Sequence, residues 1–161
     1  MIILGIDPGT ACTGWGAIKL LHSKHTLMGF GTIRPKGTIL SKKYAQIFDE
    51  INTILDEFSP DCISVETQFV YKNPQAAIKI GMARAMAILA AAKRDISIYE
   101  YTPLKAKQAV TGSGKARKED VEKMISLLLN ISKKIPLDAS DALSLAICHA
   151  HFIRSPLSAP I

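Results

Sequence analysis

The spacing of apolar residues along this 161-residue chain changes between stretches, and each change marks a predicted element. Ile2–Asp7 is a short apolar run closed by an acid, which predicts a buried strand. Gly9, Gly14 and Gly16 then predict a turn into a second strand over 15–21, and a third strand follows over 26–33. Short polar links between these runs predict an antiparallel meander. From Leu40 to Phe58 the period becomes helical, with Leu40, Tyr44, Ile47, Phe48, Ile51, Ile54, Leu55 and Phe58 on one face. Ser59-Pro60 stops this helix. A fourth strand, Cys62–Glu66, again closes on an acid. Asn73-Pro74 reads as a helix cap with proline at the first helical position, opening a helix to about Arg94 that is rich in alanine and glycine. A fifth strand over 96–101, a short helix from Pro103 to Thr111, a basic loop over 112–118, an amphipathic helix over 121–129 and a last apolar helix over 138–152 complete the pattern. The order of strands and helices predicts a mixed α/β fold.

Composition narrows the class. The chain is 48% hydrophobic and 21% charged, so it is globular rather than disordered. Its length predicts one domain over residues 1–153, and the aperiodic stretch 154–161 predicts a frayed tail. No apolar stretch is expected to approach the roughly 18 residues of a membrane span, and the opening MIILGIDPGT lacks the basic flank of a signal peptide. No membrane contact is expected. Cys12, Cys62 and Cys148 are odd in number and form no CxxC pair, which predicts reduced thiols, a cytoplasmic location and no structural zinc. Cys148, His149 and His151 lie too close along one helix to face a single metal.

Charge changes the picture more. Residues 67–134 hold thirteen Lys and Arg against five Asp and Glu, and this middle third supplies the whole net excess of +6. A basic region so concentrated fits a polyanionic partner, nucleic acid above all, although a solvated lysine face has the same composition.

Four acids are candidates for chemistry. Asp7 and Glu66 end strands, where ligands of open α/β sheets bind. Asp138 and Asp141 are three apart at a helix start and share a face. A helix packed on the first and fourth strands would bring all four together. Carboxylates so placed stay ionised only beside a cation, and oxygen donors without Cys or His favour Mg²⁺ or Mn²⁺. Each acid also has an ordinary reading: Asp7 as a turn-former before Pro8-Gly9, Glu66 as a surface charge, and Asp138 as a helix cap with Asp141 at its third position.

The segments ILGIDPGT (3–10), TGWG (13–16), Ile63-x-Val65-Glu66 with Phe69, KNPQAAIKIGMARA (72–85) and DASDALSLAICHAH (138–151) resemble the RuvC family of Holliday-junction resolvases, in register from residue 2 to residue 152. The resemblance implies a ribonuclease H-like fold, a five-stranded mixed sheet flanked by helices. It implies a homodimer formed through the helix at 74–93, which nicks a four-way DNA junction symmetrically and leaves 5′-phosphate and 3′-hydroxyl ends. Asp7, Glu66, Asp138 and Asp141 match the family's catalytic, metal-holding acids, for two Mg²⁺ ions with Mn²⁺ able to substitute. Phe69 matches its base-stacking aromatic, and Lys107 and Lys118 its DNA-contacting lysines. Lys115, Arg117 and Lys118 remain alternative phosphate contacts in one basic stretch. A branch-migration motor complex of the same pathway is an implied partner.

Rival readings fare less well. Asp7-Pro8-Gly9-Thr10 is also similar to the first phosphate loop of actin-like ATPases, but that fold needs two related halves. TGSGK (111–115) lacks the first glycine of a P-loop and has Ala116 where Ser or Thr is required. Another ribonuclease H-like nuclease acting on RNA, and a junction-binding protein without cleavage, are the nearer alternatives. The complete acid set argues against the second.

Overall fold

A computed structural model describes residues 1–67, 73–153 and 159–161. Its strands are β1 (Ile2–Asp7), β2 (Thr13–Leu21), β3 (Lys24–Ile33), β4 (Cys62–Glu66) and β5 (Ser97–Tyr101). Its helices are α1 (Leu40–Phe58), α2 (Pro74–Ala92), α3 (Pro103–Thr111), α4 (Lys118–Leu128) and α5 (Leu137–Phe152). The strands form one sheet in the order β3-β2-β1-β4-β5. The meander β1-β2-β3 is antiparallel, while β4 and β5 run parallel to β1. This is the ribonuclease H-like mixed sheet that the sequence resemblance implies.

Side chains alternate across a strand, so each strand divides its residues between two layers. Leu4, Ile6, Ala17, Ile63 and Val65 face a core built with Ile47, Ile51 and Leu55 of α1 and Ala83, Ala87, Ala90 and Ala91 of α2. Ile3, Ile18 and Cys62 face the opposite core, with Val121 and Ile125 of α4 and Leu143 and Ile147 of α5. The second layer centres on α5, whose residues Ala142–Ala150 are all buried.

Gly14 and Gly16 are not turn residues. Both lie inside β2, on the α5 side, where a local reading of glycine fails and tertiary packing explains it. A Cβ at Gly14 would overlap the carbonyl oxygen of Asp138, and one at Gly5 the carbonyl oxygen of Ala142. A Cβ at Gly16 would strike the Leu143 side chain 2.5 Å away. The three glycines make a groove into which the backbone of α5 settles. Ser64 Oγ donates to the Leu145 carbonyl at 2.9 Å and fixes α5 against β4 as well.

Boundaries shift for local reasons. β2 and β3 meet at a tight hairpin with Leu21 opposite Lys24 and His22 at a φ of 56°, so polar residues extend both strands. α4 begins at Lys118 rather than at 121, because Glu119 and Asp120 suit the positive end of a helix. α2 begins as expected, with Asn73 accepting from the Ala76 N–H at 3.0 Å and Pro74 in the first turn.

One expectation is corrected. Over an 18-residue window α2 has a mean hydropathy of 1.3, long and apolar enough by length and composition to cross a membrane. Counting consecutive apolar residues stops at Lys79 and Arg84, whereas the window averages across them. Only 22% of that window is buried, because Ile78, Met82 and Leu89 form an outward stripe.

The glycine groove yields a direct test of the packing. Gly5→Ala should destabilise the fold by about 1–3 kcal/mol, the usual range for forcing extra volume into a packed core. Urea denaturation measures it, and an unchanged midpoint would mean that α5 stands off the sheet.

Candidate active site

Strand parity decides which acids meet. Ile3, Gly5 and Asp7 alternate onto the α5 face of β1, and Cys62, Ser64 and Glu66 onto the same face of β4. The parallel register pairs Ile6 with Val65, so Asp7 and Glu66 end adjacent strands side by side. The first turns of α5 rest over Gly14 and Gly5 and carry Asp138 and Asp141 to the same edge. Asp138 is not a helix cap: α5 starts at Leu137, Pro136 precedes it, and no side chain caps it. Its packing on β2 explains its place instead.

The four acids feel one another. Burial pushes the Asp7 carboxyl up to about 8, helped by repulsion from Glu66, Asp141 and Asp138 and opposed by Lys118. Burial likewise raises Glu66, with Asp141 adding to it and Lys118 and Lys107 opposing. Such a cluster is short of positive charge. Among the described residues no three carboxylate, imidazole or thiol side chains are closed into a metal-binding group. Cations flank the outer acids: Lys118 Nζ donates to Asp141 Oδ2 at 2.5 Å, and Arg34 Nη2 lies 3.9 Å from Asp138 Oδ2. The donor set is nonetheless all oxygen and electron-rich, which fits a hard divalent ion.

A recess of about 210 Å³ opens beside the cluster, lined by Glu66, Lys107, Lys118 and Asp141 with Pro103 and Ser144. Lys107 Nζ donates to the Ala116 carbonyl at 3.2 Å, which ties α3 to the loop before α4. The other basic candidates sit apart. Arg117 is exposed and pairs with Asp120 at 3.2 Å, and Lys115 is exposed in the loop. Phe69 lies outside the described residues.

Sequence reading missed two neighbours of Asp138. The Cys12 thiol hydrogen-bonds to Asp138, and burial together with that bond raises its pKa to about 11. Arg34, the residue after β3, was hidden because charge was sought in the middle third of the chain. His149 is a core residue: its Nδ1 pairs with Tyr101 Oη at 2.8 Å, and burial lowers its pKa to about 4.

Comparison with known proteins gives this geometry a context. Residues 3–149 match the family model described as crossover junction endodeoxyribonuclease RuvC. The RuvC of Protochlamydia amoebophila is 48% identical over 152 residues, covering 93% of this chain and 90% of that protein. The RuvC of Psychromonas ingrahamii is 45% identical over 150 residues, covering 93% and 87%. Among solved structures, Thermus thermophilus RuvC in complex with Holliday junction substrate superposes with a TM-score of 0.92 at 29% identity, covering 100% of this chain and 99% of that one. A yeast mitochondrial resolvase, at 18% identity and a TM-score of 0.67, shares the fold. Carboxylates gathered at one sheet edge, lysines beside them and a family match over nearly the whole chain agree, and the chain belongs to the RuvC family of crossover junction endodeoxyribonucleases.

Proposed function

We propose that this chain resolves four-way DNA junctions by paired hydrolytic nicks, with Asp7, Glu66, Asp138 and Asp141 as its catalytic acids. The convergence of the four carboxylates at one sheet edge carries the site assignment, and family membership carries the substrate.

Nucleases of this family are metal-dependent. The four acids suit two Mg²⁺ ions, and Mn²⁺ has the same preference for oxygen donors. When bound, such ions supply Lewis acidity to the attacking water and the leaving 3′ oxygen. The protein's part is placement. β1 and β4 fix Asp7 and Glu66, the glycine groove fixes Asp138, and Lys107 and Lys118 put positive charge where a phosphodiester must enter. Phosphate contacts of this kind position DNA without reading its sequence. Phe69, three residues past Glu66, is assigned to stacking on an unpaired base at the junction centre.

The reading includes a homodimer. Ile78, Met82 and Leu89 are exposed at helical spacing on α2, while Ala83, Ala87, Ala90 and Ala91 fill its inner face. An outward apolar stripe on a helix already packed against its own sheet suits a second copy better than a bilayer. Two-fold pairing would present two equal sites to a nearly two-fold junction. A single nuclease domain over 1–153, a cytoplasmic location in keeping with three free cysteines, and service to a branch-migration motor complete the proposal.

Cleavage of a mobile four-way junction with and without Mg²⁺, beside a linear duplex and an RNA hybrid, tests the activity. Asp7→Asn should abolish nicking; in EDTA it should leave junction binding equal at pH 7, where Asp7 is already mostly neutral, and tighter above pH 8, where the wild type carries a repulsive charge near phosphate. In EDTA the variant should also change stability with pH. Asp7 titrates near 3.8 when unfolded and about 8 when folded. The wild type therefore loses stability relative to Asp7→Asn as pH rises from about 4 to about 8. Thermal melts across that range check it; parallel curves would contradict the buried, crowded Asp7.

Charge predicts a second outcome. Junction binding in EDTA should weaken with salt by about 0.9 log units per log unit for each phosphate contact. Lys107→Ala and Lys118→Ala should each flatten the slope by about one contact's worth. Wild-type slopes in both would reduce the basic recess to a solvated surface.

A further inference from the structure

We propose that Arg34 is a substrate-contacting residue of this site, gripping the DNA backbone on the side of the acid cluster away from Lys118. The inference rests on the junction-nuclease reading above and adds a contact from outside the basic middle third.

Three observations place Arg34 there. It follows Ile33, the last residue of β3, which is 5% exposed and pairs with Thr13 at the start of β2. Its backbone is therefore anchored two residues past Thr32, which pairs with Gly14, the glycine over which Asp138 rests. Its guanidinium approaches Asp138 only to 3.9 Å, beyond hydrogen-bond range, and its side chain is 66% exposed. Lys118, by contrast, is committed to Asp141 at 2.5 Å. Asp49 and Glu50 line one recess together with Arg34, yet neither makes an ion pair or hydrogen bond with it among the described residues. The guanidinium is thus held at the mouth of the cluster with donors facing solvent.

Geometry makes the two cations complementary. Asp138 and Asp141 stand about one turn apart on α5, with Arg34 arriving from the β3 side of the sheet and Lys118 from α4. A phosphodiester entering a cluster of carboxylates meets repulsion, which fixed donors on both flanks offset. The planar fork of arginine matches two non-bridging phosphate oxygens, which a lysine ammonium cannot reproduce. A residue that only neutralised Asp138 would do better in direct contact with it.

The test uses the full chain as wild type, Arg34→Ala and Arg34→Lys, with a four-way junction. Binding is measured in EDTA over a salt series, and single-turnover cleavage in Mg²⁺ at saturating protein. Arg34→Ala should bind roughly 10- to 100-fold more weakly, the range for losing a charge-assisted contact. Its salt slope should fall by about 0.9. Arg34→Lys should keep the slope but cleave more slowly than wild type. Thermal melting should match wild type in both, because the side chain lies mostly in solvent. A wild-type salt slope in Arg34→Ala overturns the inference, including the case where only the Mg²⁺ dependence of cleavage moves. Wild-type protein that neither binds nor cuts junctions overturns the junction-nuclease reading itself, so the two failures are told apart.

Discussion

Carboxylates brought together in a half-buried cleft repel one another, and water is too scarce there to screen them. Most of this molecule's arrangement follows from that crowding. Asp7 and Glu66 end adjacent parallel strands, and Asp138 and Asp141 are lowered onto the same edge by a helix resting in a glycine groove. The result is an Asp7 carboxyl that holds its proton up to about 8 and a lysine drawn into contact with Asp141. On the proposed reading, this unmet negative charge is what takes up cations, and the substrate arrives with its own charge neutralised by the protein.

The surrounding fold serves that crowding. Alternation along β1, β2 and β4 assigns Gly5, Gly14, Gly16, Ser64 and the acids, together with Ile3 and Ile18, to the α5 face, while Leu4, Ile6, Ala17, Ile63 and Val65 fill the other. One layer is thus free to be a conventional aliphatic core against α1 and α2. The other gives up side-chain volume at Gly5, Gly14 and Gly16 so that a buried helix can bring its first turn close. Cations then sit around the cluster's rim, Lys107 and Lys118 on one side and Arg34 on the other.

The acids were legible in the sequence because their signals are local: an apolar run ending in Asp or Glu, and two Asp three apart before an apolar helix. The five strands and five helices were legible for the same reason, to within a few residues at their ends. Gly14 and Gly16 misled, because glycine announces a turn locally and only the packed helix shows that they are points of close approach. Lys118 read as loop because the first turn of α4 is polar, and its helical position is what aims it at Asp141. Arg34 was invisible to a tally of charge along the chain, since its partner Asp138 is more than a hundred residues away. The apolar character of α2 was hidden by two interrupting cations.

Proton release on metal binding measures the crowding most directly. Near pH 7 and without divalent cations, Asp7 is mostly protonated, and a hard ion binds only the carboxylate. Calorimetric titration of the wild-type chain with Mg²⁺ or Mn²⁺, repeated in buffers of different ionisation enthalpy, counts the protons released. The account predicts release of about one proton per site at pH 7, falling away as the pH is raised past 8. Binding with no dependence on buffer at pH 7 would contradict it, because Asp7 would then be ionised already and the four acids would not be sharing one cleft.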